Sequence, residues 1–142
     1  MRYPSYYDAG RIFLRNLAVR DIAEPLPSFD DSTPAETARN ALLYARLPVA
    51  GVRRKGWVRG YVVAEELGLG PCEDYTHDLE ETVVLAESTP LLELLRVMKD
   101  AAWVLVRSFG EVNGIVGRAD LQDPPVRMWL FGTITVIELR FQ

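Results

Sequence analysis

Gly110-Glu111-Val112-Asn113-Gly114-Ile115-Val116-Gly117-Arg118-Ala119-Asp120-Leu121 has an echo earlier in the chain, Gly56-Trp57-Val58-Arg59-Gly60-Tyr61-Val62-Val63-Ala64-Glu65-Glu66-Leu67. The two stretches share Gly56/Gly110, Val58/Val112, Gly60/Gly114, Val62/Val116 and Leu67/Leu121. Working outward, each is preceded by the same triplet, Ser32-Thr33-Pro34 in one half and Ser88-Thr89-Pro90 in the other. The glycine blocks stand 54 residues apart and the triplets 56, so one half carries a two-residue length change. A self-match in conserved order over most of a chain marks a duplicated supersecondary unit.

Each copy reads as the same small α+β unit. A hydroxyl residue followed by Pro predicts a helix start, the hydroxyl accepting from a free N–H and Pro sitting in the first turn. Leu91, Leu94, Leu95 and Met98 then recur at helical spacing, as do the smaller Ala38, Ala41, Leu42 and Ala45. A short apolar strand follows, Pro48 to Val52 or Trp103 to Val106. A tight turn at Arg54-Lys55-Gly56 or Ser108-Phe109-Gly110 leads into a second strand, Trp57 to Val63 or Glu111 to Val116. Ahead of each helix lies an extended stretch, Glu81 to Leu85 in the second copy and Leu26 to Phe29 in the first. Such a unit cannot bury its sheet alone, but two copies packed against each other can.

Composition narrows the function. Of 142 residues, 49% are hydrophobic, enough for a packed core. A net charge of −4 and a pI near 5.0 argue against generic nucleic-acid binding, which needs a basic footprint. The basic cluster Arg53-Arg54-Lys55 reads as a solvated hairpin tip. One cysteine, Cys72, makes no internal disulfide and fits a reducing compartment. Cys72 and His77 are too few for a zinc site and lack a third member for nucleophilic catalysis. Both fall in Gly68–Asp78, which reads as a loop, and the acids Glu73, Asp74, Asp78, Glu80 and Glu81 as a solvated linker. No phosphate-cradling glycine motif is present, and no constellation points to an enzyme. The N-terminus lacks a basic start followed by an apolar run, and Met128 to Leu139 is too short to cross a bilayer, so a cytoplasmic protein is expected.

At Pro90-Leu91, the Val104-Leu105-Val106 strand and Gly114 through Leu121, the second copy resembles the signature of CBS domains. The first copy resembles it through Leu47-Pro48-Val49 and Gly60 through Leu67. The resemblance covers roughly residues 20–125. It implies two β-α-β-β-α repeats packed with pseudo-twofold symmetry, forming a Bateman module. It further implies two clefts that take adenosine-containing ligands: AMP, ADP, ATP or S-adenosylmethionine. The family's last motif carries Ser or Thr near the phosphate and Asp at the ribose hydroxyls, where a carboxylate accepts strongly. The phosphate meets the start of the following helix, whose free N–H groups favour an anion. The second copy keeps Asp120 at the ribose position and Arg118 within reach of a phosphate. It has Gly117 in place of the hydroxyl, which opens the backbone to close approach. Val104 and Leu85 are the strand residues expected beside the adenine. Trp103 is large enough either to stack on a purine or to fill the cleft. In the first copy Val63 replaces the hydroxyl residue and Glu66 replaces the Asp, with Pro48 and Val49 as the flanking strand positions; this site departs further from the pattern.

The chain divides on this reading into an N-terminal segment (1–19), repeat 1 (20–70), a linker (71–78), repeat 2 (79–125) and a C-terminal helix (126–142). Residues 6–17 read as a short amphipathic helix. Over the C-terminal helix, Val126, Trp129, Leu130, Ile134, Ile137 and Phe141 form one stripe and Met128, Phe131, Thr135 and Leu139 another, so the helix is apolar nearly all round. A helix apolar nearly all round needs a partner, so a homodimer is expected. The function expected is a sensor that binds an adenine nucleotide at Asp120; the alternative is a ligand-free scaffold that only dimerises. No nucleic acid, membrane or metal is expected as a partner.

Overall fold

The computed structural model describes residues 17–122; the amphipathic helix expected over residues 6–17 and the helix expected over 126–142 lie outside them, Leu17 apart. The described chain builds two four-stranded sheets and two helices. In chain order the elements are β1 (Glu24–Pro25), β2 (Ser28–Asp30), α1 (Ala35–Ala45), β3 (Val49–Arg54) and β4 (Trp57–Val63). There follow β5 (His77–Asp78), β6 (Val84–Ala86), α2 (Leu91–Val97), β7 (Trp103–Ser108) and β8 (Glu111–Gly117).

The duplication read from the glycines is a duplication of backbone geometry. Strand β2 pairs parallel with β3 (Ser28 opposite Gly51), and β6 pairs parallel with β7 (Val84 opposite Leu105). Both hairpins are antiparallel with a register shift at the same place, Val52/Arg53 and Val106/Arg107. Both turn on two residues of positive φ, Lys55 (55°) with Gly56 (83°) and Phe109 (54°) with Gly110 (77°). That is the turn whose twist matches a two-residue hairpin. The length change lies in the helix, 11 residues in α1 against 7 in α2, offset in part by a longer connection into β7. In the first half Arg46 closes α1 in the left-handed region, while in the second the shorter α2 ends at Met98 and six residues later β7 is under way. The helical element expected to close each repeat is a 3-10 turn, Ala64–Glu66 and Arg118–Gln122.

Two expectations are corrected. The Ser-Thr-Pro hydroxyls do not cap the helices: neither Pro34 nor Pro90 is accompanied by a side-chain cap. Instead the first helical N–H groups, on Ala35 and Leu91, donate to the carbonyls of Gly70 and Leu17, and the N–H groups of Cys72 and Val19 donate to Thr33 and Thr89. Backbone from outside each helix satisfies its free end. The second correction concerns the linker. Residues 71–78 are built into the first half: Pro71 bridges Pro34, Cys72 is wholly buried, and β5 pairs with β4 (Tyr61 opposite His77). Its counterpart is 18–25, where Ala18 bridges Pro90, Val19 is wholly buried and β1 pairs with β8 (Glu24 opposite Ile115). Each half therefore receives its fourth strand from chain that precedes the other half. Pro25 is tolerated because β1 is an edge strand.

The core has three parts. Ala35, Ala38 and Leu42 of α1 pack on Ala50, Val52 and Val62, so the buried stripe includes Ala35, while Ala41 and Ala45 are exposed. Leu91, Leu94 and Met98 pack on Val104, Val106 and Val116, with Leu95 partly buried beside them. The third part lies between the halves: Leu26, Val49, Tyr61, Leu105, Val112 and Ile115. At roughly 25 cal/mol per Å² of apolar surface buried, this middle layer holds two sheets together that would each expose a bare face alone.

Candidate functional site

The strand glycines set how closely the fourth strands cross each sheet. A Cβ on Gly60 would meet Thr76 Cγ2 and the His77 carbonyl oxygen at 2.5 Å, because β5 crosses directly over it. On Gly114 the same addition meets Val106 Cβ at 3.1 Å and the Glu24 carbonyl at 3.5 Å. Close backbone approach holds at each glycine and is tighter in the first half.

At the end of β8 the chain turns at Gly117 and the Asp120 side chain folds back, one carboxylate oxygen accepting from the Gly117 N–H at 2.7 Å. Asp120 is 7% exposed and is the buried charged side chain among the described residues. Its second oxygen has no partner among those residues. Arg118 is exposed beside it. Trp103 stands opposite Gly117 across the hairpin, half-buried, its ring edge-on to Tyr61 at 5.5 Å. It belongs to the layer between the halves. Val104 is wholly buried under α2, and Leu85 packs on the same cluster, so both expected ligand neighbours belong to the second half's core.

The equivalent place in the first half is filled by the chain itself. His77, on β5, stacks on Tyr61 at 5.1 Å and meets Glu66 through Nε2 at 2.5 Å and Glu81 through Nδ1 at 3.1 Å. When protonated, the ring donates from both nitrogens, and the hydrogen bond to Glu66 leads the effects that raise the His77 pKa above its ordinary value. Burial, with Glu81 and Glu66 nearby, pushes the Tyr61 hydroxyl up as well. Glu66, expected at a ribose position, is thus engaged by a histidine. Val63 and Val49 face the middle layer, Val49 wholly buried, while Pro48 is exposed with its carbonyl accepting from Ala64 N–H at 2.8 Å. Cys72 is buried, which pushes its thiol up and keeps it protonated. Among the described residues no cluster of His, Cys, Asp or Glu has metal-site geometry, and no helix is long and apolar enough to cross a membrane.

Sequence reasoning missed His77, Glu81 and Tyr61 as one constellation. The signal available was that the position equivalent to Tyr61 is Ile115 and that equivalent to His77 is Glu24, so only one half carries the aromatic pair.

No family model and no curated protein matches the chain. Solved structures do. A CBS domain-containing protein of unknown function from Bacillus anthracis superposes with a TM-score of 0.66 at 14% identity, covering 84% of this chain and 96% of that one. The chain has the tandem CBS fold. CBSX2, solved in complex with AMP, gives a TM-score of 0.65 at 18% identity over 80% of this chain and 98% of that one. The CBS domain of a CBS domain-containing membrane protein from Sphaerobacter thermophilus gives 0.62 at 16% identity over 80% and 90%. Within this CBS pair the two repeats meet through β4 and β8, where Glu111 accepts from the Val58 N–H at 2.7 Å.

Proposed function

We propose that this CBS pair is a regulatory module, not a catalyst, that binds one adenosine-containing ligand in the cleft at Asp120. The observation that carries the reading is the buried Asp120 carboxylate, one oxygen anchored on Gly117 N–H and the other without a protein partner among the described residues. An acceptor held in this way is preorganised for a pair of sugar hydroxyls. The exposed Arg118 and the turn at Gly117 offer the ligand's phosphate or sulfonium-bearing tail a polar exit, and Trp103 offers its base an aromatic edge. The AMP complex of CBSX2 supports the ligand class. The first cleft, closed by His77, serves as a fixed reference against which the second opens or shuts. Occupancy acts on a partner only through different affinities for two arrangements of the module.

Calorimetric titration with AMP, ADP, ATP and S-adenosylmethionine tests this. One of them is expected to bind and to raise the melting temperature by mass action. Asp120→Ala is expected to weaken it by about 1–3 kcal/mol, and Asp120→Asn, which still accepts from Gly117 N–H, to weaken it while keeping the fold. Absence of binding by all four at millimolar concentration sinks the reading. In that case the alternative stands, a ligand-free dimerising scaffold, which the placement of Trp103 in the middle layer favours. In either form we propose a cytoplasmic homodimer joined through the apolar C-terminal stretch, which light scattering at micromolar concentration tests; a strict monomer removes it.

A further inference from the structure

We propose a second ligand site, distinct from the Asp120 cleft, that takes a free α-amino acid with an aromatic or large apolar side chain. It is a cavity of about 530 Å³ at the turn end of the sheets, bounded by the starts of β4 and β8, the end of β7 and the chain just after β5. That volume lies within the usual range for small-molecule sites.

The duplication supplies an internal control for its chemistry. In the first half Arg53 of β3 stands opposite Asp30 of β2 and forms an ion pair with it at 3.4 Å. The second half keeps the arginine, Arg107, but the residue opposite it on β6 is Ala86. Arg107 has lost its carboxylate and lines the cavity instead. Across from it lie Arg59, the carboxylates of Asp78 and Glu80, and Glu111, which Val58 N–H holds in place. Arg107, Arg59, Asp78 and Glu80 make no ion pair with one another among the described residues. Charges of both signs therefore face one space unpaired. The apolar part is Trp57, 57% exposed, with Leu79 beside it. An exposed indole on a cavity wall is a surface that gains by being covered.

Charge sign selects the ligand class. A phosphate or other dianion would approach two guanidinium groups but face three carboxylates; a simple cation would meet the converse. A molecule carrying one carboxylate and one ammonium a few ångströms apart satisfies both sets, and its side chain has the indole to rest on. The site draws on both repeats and on the segment after β5, so its occupancy bears on how the halves are held together.

The test is calorimetric titration of the full chain with L-phenylalanine, N-acetyl-L-phenylalanine and L-phenylalanine amide. The free amino acid is expected to bind, and each blocked form, lacking the ammonium or the carboxylate, to bind at least ~10-fold more weakly. Arg107→Ala is expected to weaken phenylalanine by ~10-fold or more, while Arg53→Ala, its counterpart on the first hairpin, leaves it unchanged. Asp120→Ala leaves phenylalanine binding intact, and Arg107→Ala leaves nucleotide binding intact, so failure here is separable from failure at the first site. Arg107 is exposed, and a melting curve of the variant checks that it folds. No binding of phenylalanine at millimolar concentration, equal binding of the N-acetyl form, or binding indifferent to Arg107→Ala each overturns the assignment.

Discussion

The two halves share strand pairing down to the register of each bulge, yet one carries a histidine held between two glutamates and the other a buried aspartate bonded, among the described residues, only by Gly117 N–H. In the first half a stack of Tyr61 and His77 ends on Glu66 and Glu81. In the second, Ile115 and Glu24 occupy the matching strand positions, and Asp120 turns inward to Gly117. The difference teaches that duplication copies strand geometry while a few side chains give the two copies different chemistry. It also shows why the first half tolerates so little slack: the segment that delivers His77 lies directly on Gly60.

That contrast can be broken at several points. The largest effect is expected from adding one methyl group to each strand glycine. Gly60→Ala forces a Cβ to within 2.5 Å of the His77 carbonyl and Thr76, and urea unfolding should register a loss of about 3 kcal/mol. Gly114→Ala, at the equivalent place, meets Val106 at 3.1 Å and should lose about 1 kcal/mol. Equal losses would mean that the crossing strands press equally on both halves.

Next comes pH. His77 has its pKa raised in the folded protein, chiefly by the hydrogen bond to Glu66. A raised folded value means that the contribution is present in full below the unfolded value of about 6.5 and is lost as pH rises through the folded one. Melting curves across this window should therefore show the wild type losing its advantage over His77→Ala as pH climbs. A difference independent of pH would show that His77 acts by packing alone. The side chain is about one-third exposed (34%), as are half or more of its partners', so solvent tempers the effect.

The smallest effect should be the same in both halves. Lys55 and Phe109 hold positive φ at the first central turn position, where Asn is better suited. Lys55→Asn and Phe109→Asn should each stabilise by about 0.5 kcal/mol, and a marked inequality in thermal unfolding would reveal a hidden role for the exposed Phe109 ring.

Much of the fold is legible in the sequence because its signals are local. The hairpins announce themselves through Lys55-Gly56 and Phe109-Gly110, and α2 through Leu91, Leu94 and Met98. The crossing segments are not legible for the opposite reason. Glu24-Pro25 and His77-Asp78 are two-residue strands of poor strand composition, formed only because β8 and β4 offer them unpaired edges. Cys72, in acid-rich sequence that reads as linker, is buried because Thr33 accepts its N–H. At the candidate site, Asp120 was named through the resemblance to the CBS signature, and the structure adds its burial and its bond from Gly117 N–H; the capture of Glu66 by His77 was not legible, since those residues are brought together by the same unreadable crossing.

That crossing also sets an order of events during synthesis. The first half is complete soon after residue 78 leaves the ribosome, since β5 follows β4 by little more than a dozen residues. The second half's edge strand, β1, is made before the other described strands and must wait until β8, some ninety residues later, exists to receive it. Non-local pairing of that kind is slow and leaves a segment unprotected meanwhile. The short length of β1 and the proline within it make that wait safer, because a two-residue strand lacking one donor is a poor template for another chain.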